Sequence, residues 1–141
     1  MLPVEIAIAP ELKLRGFKKK ARTWWRTTDD SIQVINLQKS AYGEALYTNL
    51  GIYVRSLGSE LSPPEYRCHI RARLEKVTPD SLHLPIRCAT AIGQPSEELL
   101  EALLSYGVGW LEALATPNGR RSLLGEASAA HWFVAYRVRE A

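Results

Sequence analysis

The chain has 141 residues, 46% hydrophobic and 23% charged, with a formal net charge of +3. That length suits one domain, residues 1–141, with a core large enough to need no disulfide staples, and the composition excludes wholesale disorder. No apolar run approaches the roughly 20 residues that span a bilayer, and Pro3, Glu5, Pro10 and Glu11 interrupt any secretory leader at the start.

Charge is distributed unevenly. Between Glu11 and Asp29 stand Lys13, Arg15, Lys18, Lys19, Lys20, Arg22 and Arg26 with no acidic residue, whereas Cys88 to Gly119 carries Glu97, Glu98, Glu101 and Glu112 and no basic one. A positive and a negative side are expected. Cys68 and Cys88 form no CxxC pair, so a cytoplasmic protein with reduced thiols is the simplest reading.

Val4 to Arg15 has helical spacing in Ile8, Leu12 and Arg15; Pro10 either opens a short helix or kinks a longer one, and Gly16 ends it. From Phe17 to Thr27 the chain alternates as one strand. Phe17, Ala21, Thr23 and Trp25 fall on one side, and Lys18, Lys20, Arg22, Trp24 and Arg26 on the other. Thr28 to Ser31 supplies turn chemistry, Ile32 to Ser40 is a β-branched strand, a turn follows around Tyr42-Gly43, and Leu46 to Val54 is a third strand.

Pairing Leu37 with Leu50 and Ile35 with Ile52 gathers the apolar side chains of the two longer strands and sets Gln38 opposite Asn49. Trp25 opposite Gln33 then brings Arg22 to Asn36 and Lys20 to Gln38. A fourth strand follows a loop from Leu57 to Glu65: Tyr66, Cys68, Ile70, Ala72 and Leu74 alternate with Arg67, His69, Arg71 and Arg73.

Pro79, Pro85 and Pro95 make residues 75–95 an irregular connection, with one short strand near Ile86 to Ala89. Ser96 is a candidate N-cap for a helix from Glu97 to Thr116, whose stripe Leu100, Leu103, Leu104, Gly107, Leu111 and Leu114 has the helical period. Gly107 is expected to pack closely on the sheet, and Pro117-Asn118-Gly119 to stop the helix. Between Ser122 and Glu140 the alanines favour helix, against a strand-like alternation of Val134, Tyr136 and Val138. The expected fold is α+β: an antiparallel sheet of about four strands with helices packed on one face.

Gly16-Phe17-Lys18-Lys19-Lys20, Trp25-Arg26, Ile32 to Ser40 and Tyr47 to Tyr53 resemble, in content and order, a family of mostly bacterial proteins known as domain of unknown function 4304. The resemblance covers residues 12–54, is fainter through His69-Ile70-Arg71-Ala72-Arg73, and is absent beyond Pro95. It implies a small α+β domain and a bacterial source. It brings no activity or catalytic residue, and immunity-like or accessory proteins are an analogy only.

The sheet face opposite the helices would carry Lys18, Lys20, Arg22, Trp24, Arg26, Asn36, Gln38, Tyr47, Asn49, Tyr53, Arg67, His69, Arg71 and Arg73 together. Such a face suits a protein partner or another anionic ligand, because arginine and aromatic residues are favoured interface anchors. It also suits nucleic acid, where cations neutralise phosphates and rings stack on bases. The plainer alternative is a solvated face whose cations discourage aggregation. The three amides could orient a ligand or satisfy one another across strands.

Catalytic readings are weaker. Cys68, His69, His83 and Cys88 are metal-ligand types without the spacing of a zinc module, and Cys68 and His69 should point to opposite sides of a strand. A ribonuclease could use His69 as acid or base beside Lys20, Arg71 or Arg73, but no partner for the imidazole is evident. The expectation is a non-catalytic binding module without cofactor or metal, with nucleic-acid binding or cleavage through the same face as the alternative.

Overall fold

Helix α1, Pro3–Leu14, starts with a proline in its first turn, where the missing N–H would have been unpaired in any case. Glu5 Oε1 accepts the backbone N–H of Leu2 at 3.1 Å, satisfying another free donor. The helix runs through Pro10, whose ring faces solvent, and buries Val4, Ile8 and Leu12 at a spacing of four. Phe17 N–H returns to Leu12 O and Gly16 N–H to Lys13 O, both at 3.0 Å, with Gly16 at φ +89°. This is a Schellman cap, and its left-handed residue is the expected glycine.

In the computed structural model, which describes residues 2–41, 45–83 and 97–140, six antiparallel strands follow in sheet order. They are β1 (Lys18–Lys20), β2 (Thr23–Thr27), β3 (Ser31–Lys39), β4 (Leu46–Val54), β5 (Ile70–Arg73) and β6 (Phe133–Val134). The expected number was about four. Two strands were added because Phe17 to Thr27 folds as a hairpin, with Lys20 opposite Thr23 around Ala21-Arg22, and because the C-terminal segment supplies β6.

Between β3 and β4, Ile35 pairs with Leu50 and Asn36 with Asn49. This differs by two residues from the expected pairing, so both strands keep their expected faces. Between β2 and β3 the difference is one residue: Trp25 pairs with Val34 and Arg26 with Gln33. A one-residue slip exchanges faces, so Trp24 enters the core and Trp25 faces outward.

The core lies on one face of the sheet. Trp24, Ile35, Leu50, Ile52, Ile70 and Ala72 pack there against α1 and against α2, residues 97–113. Helix α2 is α-helical at Glu97–Glu101, opens into a π turn at Ala102–Gly107, and is α-helical again at Val108–Ala113. A Cβ on Gly107 would lie 3.0 Å from Leu74 Cδ1 and 3.6 Å from Leu50 Cδ1, which is the close approach to the sheet that the sequence led one to expect.

Pro117 stops α2 and also begins α3, Pro117–Leu124: Thr116 Oγ1 accepts Gly119 N–H at 3.1 Å, and Pro117 occupies the first turn. The C-terminal segment is not the expected helix. After α3 come a 3₁₀ turn at Ala127–His131, β6, and another at Tyr136–Glu140. The expected turn at Tyr42-Gly43, the strand near Ile86 to Ala89, the Ser96 cap and Cys88 lie outside the described residues.

Candidate binding site on the outer sheet face

The face away from the helices is divided. Going out from β3, Ile32 and Val34 share it with Asn36 and Gln38, and the apolar pair requires cover. Residues 55–68 supply it as a strap. Trp25 Nε1 donates to Pro63 O at 2.7 Å, Glu60 N–H donates to Tyr53 Oη at 3.2 Å, and Arg71 Nε donates to Glu65 Oε1 at 2.9 Å. Beneath the strap Ile32, Val34, Tyr53 and Cys68 form a small buried cluster with Trp25 against it. Gly51 permits the approach, since a Cβ there would meet Cys68 Sγ at 2.6 Å.

Several expected site residues therefore belong to the scaffold. Trp24 is buried in the main core. Arg26 projects to the core side, its guanidinium 4.5 Å from the Phe17 ring centroid, and donates to Arg15 O at 2.9 Å and to Gln33 Oε1. Arg22 lies in the β1–β2 turn. Its carbonyl accepts the Leu37 N–H at 2.9 Å. Tyr53 is outward but covered. Arg67, in the strap, pairs with Glu60 at 2.9 Å.

His69 precedes β5 and completes its ladder: its own N–H donates to Ile52 O at 2.9 Å, and Val54 N–H donates to its Nδ1, also at 2.9 Å. An accepting Nδ1 fixes the neutral Nε2–H tautomer. Burial, followed by the Arg137 guanidinium, holds the imidazole below its usual range. Its ring stands 4.7 Å from that of Tyr53. The expected opposition of Cys68 and His69 does not form, because β5 begins only at Ile70 and the Cys68 thiol lies over Gly51 on the outer side. Burial, then the Glu65 carboxylate, raise the thiol's pKa far above its ordinary value, which keeps it protonated. Among the described residues no group of three His, Cys, Asp or Glu is placed to hold a metal ion.

The other half of the outer face is open and carries Lys18, Lys20, Thr23, Asn36, Gln38, Tyr47, Asn49, Arg71 and Arg73 on adjacent strands. Asn49, itself buried, donates to Gln38 Oε1 at 2.8 Å and Asn36 Oδ1 at 3.3 Å; Asn36 passes the chain on to Thr23 Oγ1 at 2.9 Å. The amides thus satisfy one another across β3 and β4, and Thr23 extends the chain to β2. At one side the Arg73 guanidinium stacks 3.8 Å from the Tyr47 ring centroid, a cation–π contact. At the other a depression of about 380 Å³ runs along Thr23, Asn36 and Gln38. Ala21, on its rim, has φ +53°, a left-handed conformation uncommon for alanine. No outward strand residue on this half carries a carboxylate.

Arg71 differs from Arg73 in being held. Its hydrogen bond to Glu65 raises its pKa further, and it lies 5.7 Å from the Phe133 centroid. Sequence reasoning did not foresee the strap contacts of Trp25 and Glu65. The outward placement of Ile32 and Val34 was the signal for a cover, since a solvated sheet half does not present two β-branched apolar residues in succession.

A six-stranded meander with helices on one face and a half-strapped opposite face defines a small α+β protein with an open polar sheet surface. The chain belongs to the family described as Domain of unknown function (DUF4304), whose match spans residues 8–113 and so extends through α2. No curated protein and no solved structure matches it.

Proposed function

We propose that this protein is a non-catalytic binding module whose open sheet half receives a carboxylate-bearing surface of a protein partner. The observation that carries this reading is the Arg73–Tyr47 stack beside the Asn49–Gln38 amide pair. The stack holds a guanidinium at one orientation, so less side-chain freedom is lost when its N–H groups engage a carboxylate. Lys20 and Gln38, both exposed, extend the donor surface across the sheet.

Nucleic acid fits less well. Of the aromatic rings expected to stack on bases, Trp24 and Tyr53 are buried, and one side of Tyr47 is occupied by Arg73. Base stacking needs free ring faces.

Fluorescence anisotropy with a labelled oligoglutamate peptide and a labelled single-stranded RNA tests the reading. The peptide should bind, with affinity lowered about tenfold by Arg73→Ala and by Gln38→Ala, roughly 1.4 kcal/mol each. RNA binding that falls linearly with salt in log–log terms, without peptide binding, would establish the nucleic-acid alternative instead.

A further inference from the structure

A second surface lies on the helical side of β1. Ile6, Ala9, Phe17 and Trp24 line a groove of about 670 Å³ between α1 and β1, and Lys13, Lys18 and Lys19 share its lining. The apolar surface continues out of the groove: Ile6 is 60% exposed and Leu14 82%. With Pro10 between them, Ile6 and Leu14 recur every four residues, and their eight-residue separation corresponds to roughly 12 Å along the helix. This outer stripe does not contribute to the buried stripe of Val4, Ile8 and Leu12.

The lysines are not equivalent. Lys19 Nζ is 3.4 Å from the buried carboxylate of Glu5, which compensates its charge, and 5.4 Å from the Trp24 ring centroid. Neither Lys13 nor Lys18 forms an ion pair among the described residues. Lys13 stands in the last turn of α1, whereas Lys18, opposite Trp25, turns its side chain to the outer sheet face. The groove therefore has an apolar stretch along α1 and uncompensated positive charge toward its Gly16 end.

We infer that the α1–β1 groove docks an acidic amphipathic helix of a protein partner, with apolar side chains on Ile6, Ala9 and Phe17 and a carboxylate against Lys13. Charge complementarity selects an acidic occupant. The roughly 12 Å from Ile6 to Leu14 matches about two turns of a helix laid alongside α1. The contacts proposed here, Ile6, Ala9, Lys13 and Phe17, are separate from the residues of the open sheet half.

The test uses the full-length chain, ¹⁵N-labelled, and a synthetic 16-residue helical peptide with leucines at i, i+3, i+4 and i+7 and glutamates on the flanks. Titration followed by NMR should shift the amides of residues 6–19 and the Trp24 indole. Ile6→Glu and Lys13→Glu should each weaken the affinity read from residues 6–19 about tenfold, while Arg73→Ala leaves the response of those residues unchanged. These exposed positions are chosen to preserve the fold, which thermal melts verify. No shift at millimolar peptide overturns the inference. So does equal binding of a peptide with lysines in place of the glutamates, an equal response to dodecanoate, shifts centred on Asn49, or concentration-dependent self-association that occupies the groove without peptide.

Discussion

Asn49 donates to Gln38 Oε1 at 2.8 Å and to Asn36 Oδ1 at 3.3 Å while being only 5% exposed. One buried amide nitrogen thus holds two surface amides in place. Asn49→Ala should cost about 1–3 kcal/mol, because both oxygens lose their donor in a partly dry setting. Asn49→Asp should cost more near neutral pH, where a carboxylate faces two acceptor oxygens, and recover toward acid as the protonated group regains a donor. Urea denaturation of the two variants at neutral and acid pH measures both effects.

His69 sets the direction of a pH dependence. Its folded-state pKa is depressed, so in the window below the ordinary imidazole value of about 6.5 the unfolded chain binds more protons than the folded one. Stability is therefore present above that value and lost as pH falls through it, when protonation at Nδ1 breaks the bond from Val54 N–H. Thermal melts across this window should show the decline, and His69→Gln should flatten it while lowering stability at neutral pH.

The two glycines of α2 should respond in opposite ways to alanine. A Cβ on Gly109 would meet nothing within 4 Å, so Gly109→Ala should stabilise by about 1 kcal/mol through helix propensity. On Gly107 the same atom sits 3.0 Å from Leu74 Cδ1 and 3.3 Å from Leu103 Cδ1, and crowding should cancel or reverse that gain. Chemical denaturation of the two variants side by side decides the matter.

Ala21 holds a left-handed backbone in the two-residue loop joining β1 to β2. Ala21→Gly should raise stability by about 1 kcal/mol by removing the Cβ penalty. Lys20 and Thr23 flank this loop, and the Arg22 carbonyl accepts from Asn36 Nδ2 at 3.4 Å. Hydrogen exchange at Leu37, whose N–H also reaches Arg22 O, reports whether the added freedom loosens the site.

Periodicity made much of this architecture legible. The alternation in β3 and β4 assigned Asn36, Gln38, Tyr47 and Asn49 to one face, and a pairing displaced by two residues left that assignment intact. The helical spacing of Ile8 and Leu12 in α1 was equally plain. Of the leucine stripe expected for α2, Leu103, Leu111 and Leu114 are buried while Leu100 and Leu104 are half-buried, and Leu99 takes a core place that the stripe left out. The β1–β2 hairpin was hidden because its loop is Ala-Arg, with neither glycine nor asparagine to announce a turn. That omission shifted β2 by one residue and carried Trp24 and Arg26 to the wrong side. Tyr53 and His69 were lost to the open surface for another reason. Whether a strap covers a strand depends on contacts such as Trp25 to Pro63, distant in sequence and without periodic signature.

Every neighbouring pair in this meander through β5 joins segments that are consecutive in the chain, so pairing can advance as synthesis proceeds, with little loop entropy to overcome. The greasy covering of Leu99, Leu103 and Leu111 is made only afterwards. A nascent chain whose β5 has emerged from the ribosome while α2 has not thus exposes a broad sticky surface. Its safe maturation rests on how promptly α2 arrives, or on a chaperone that shields the interval.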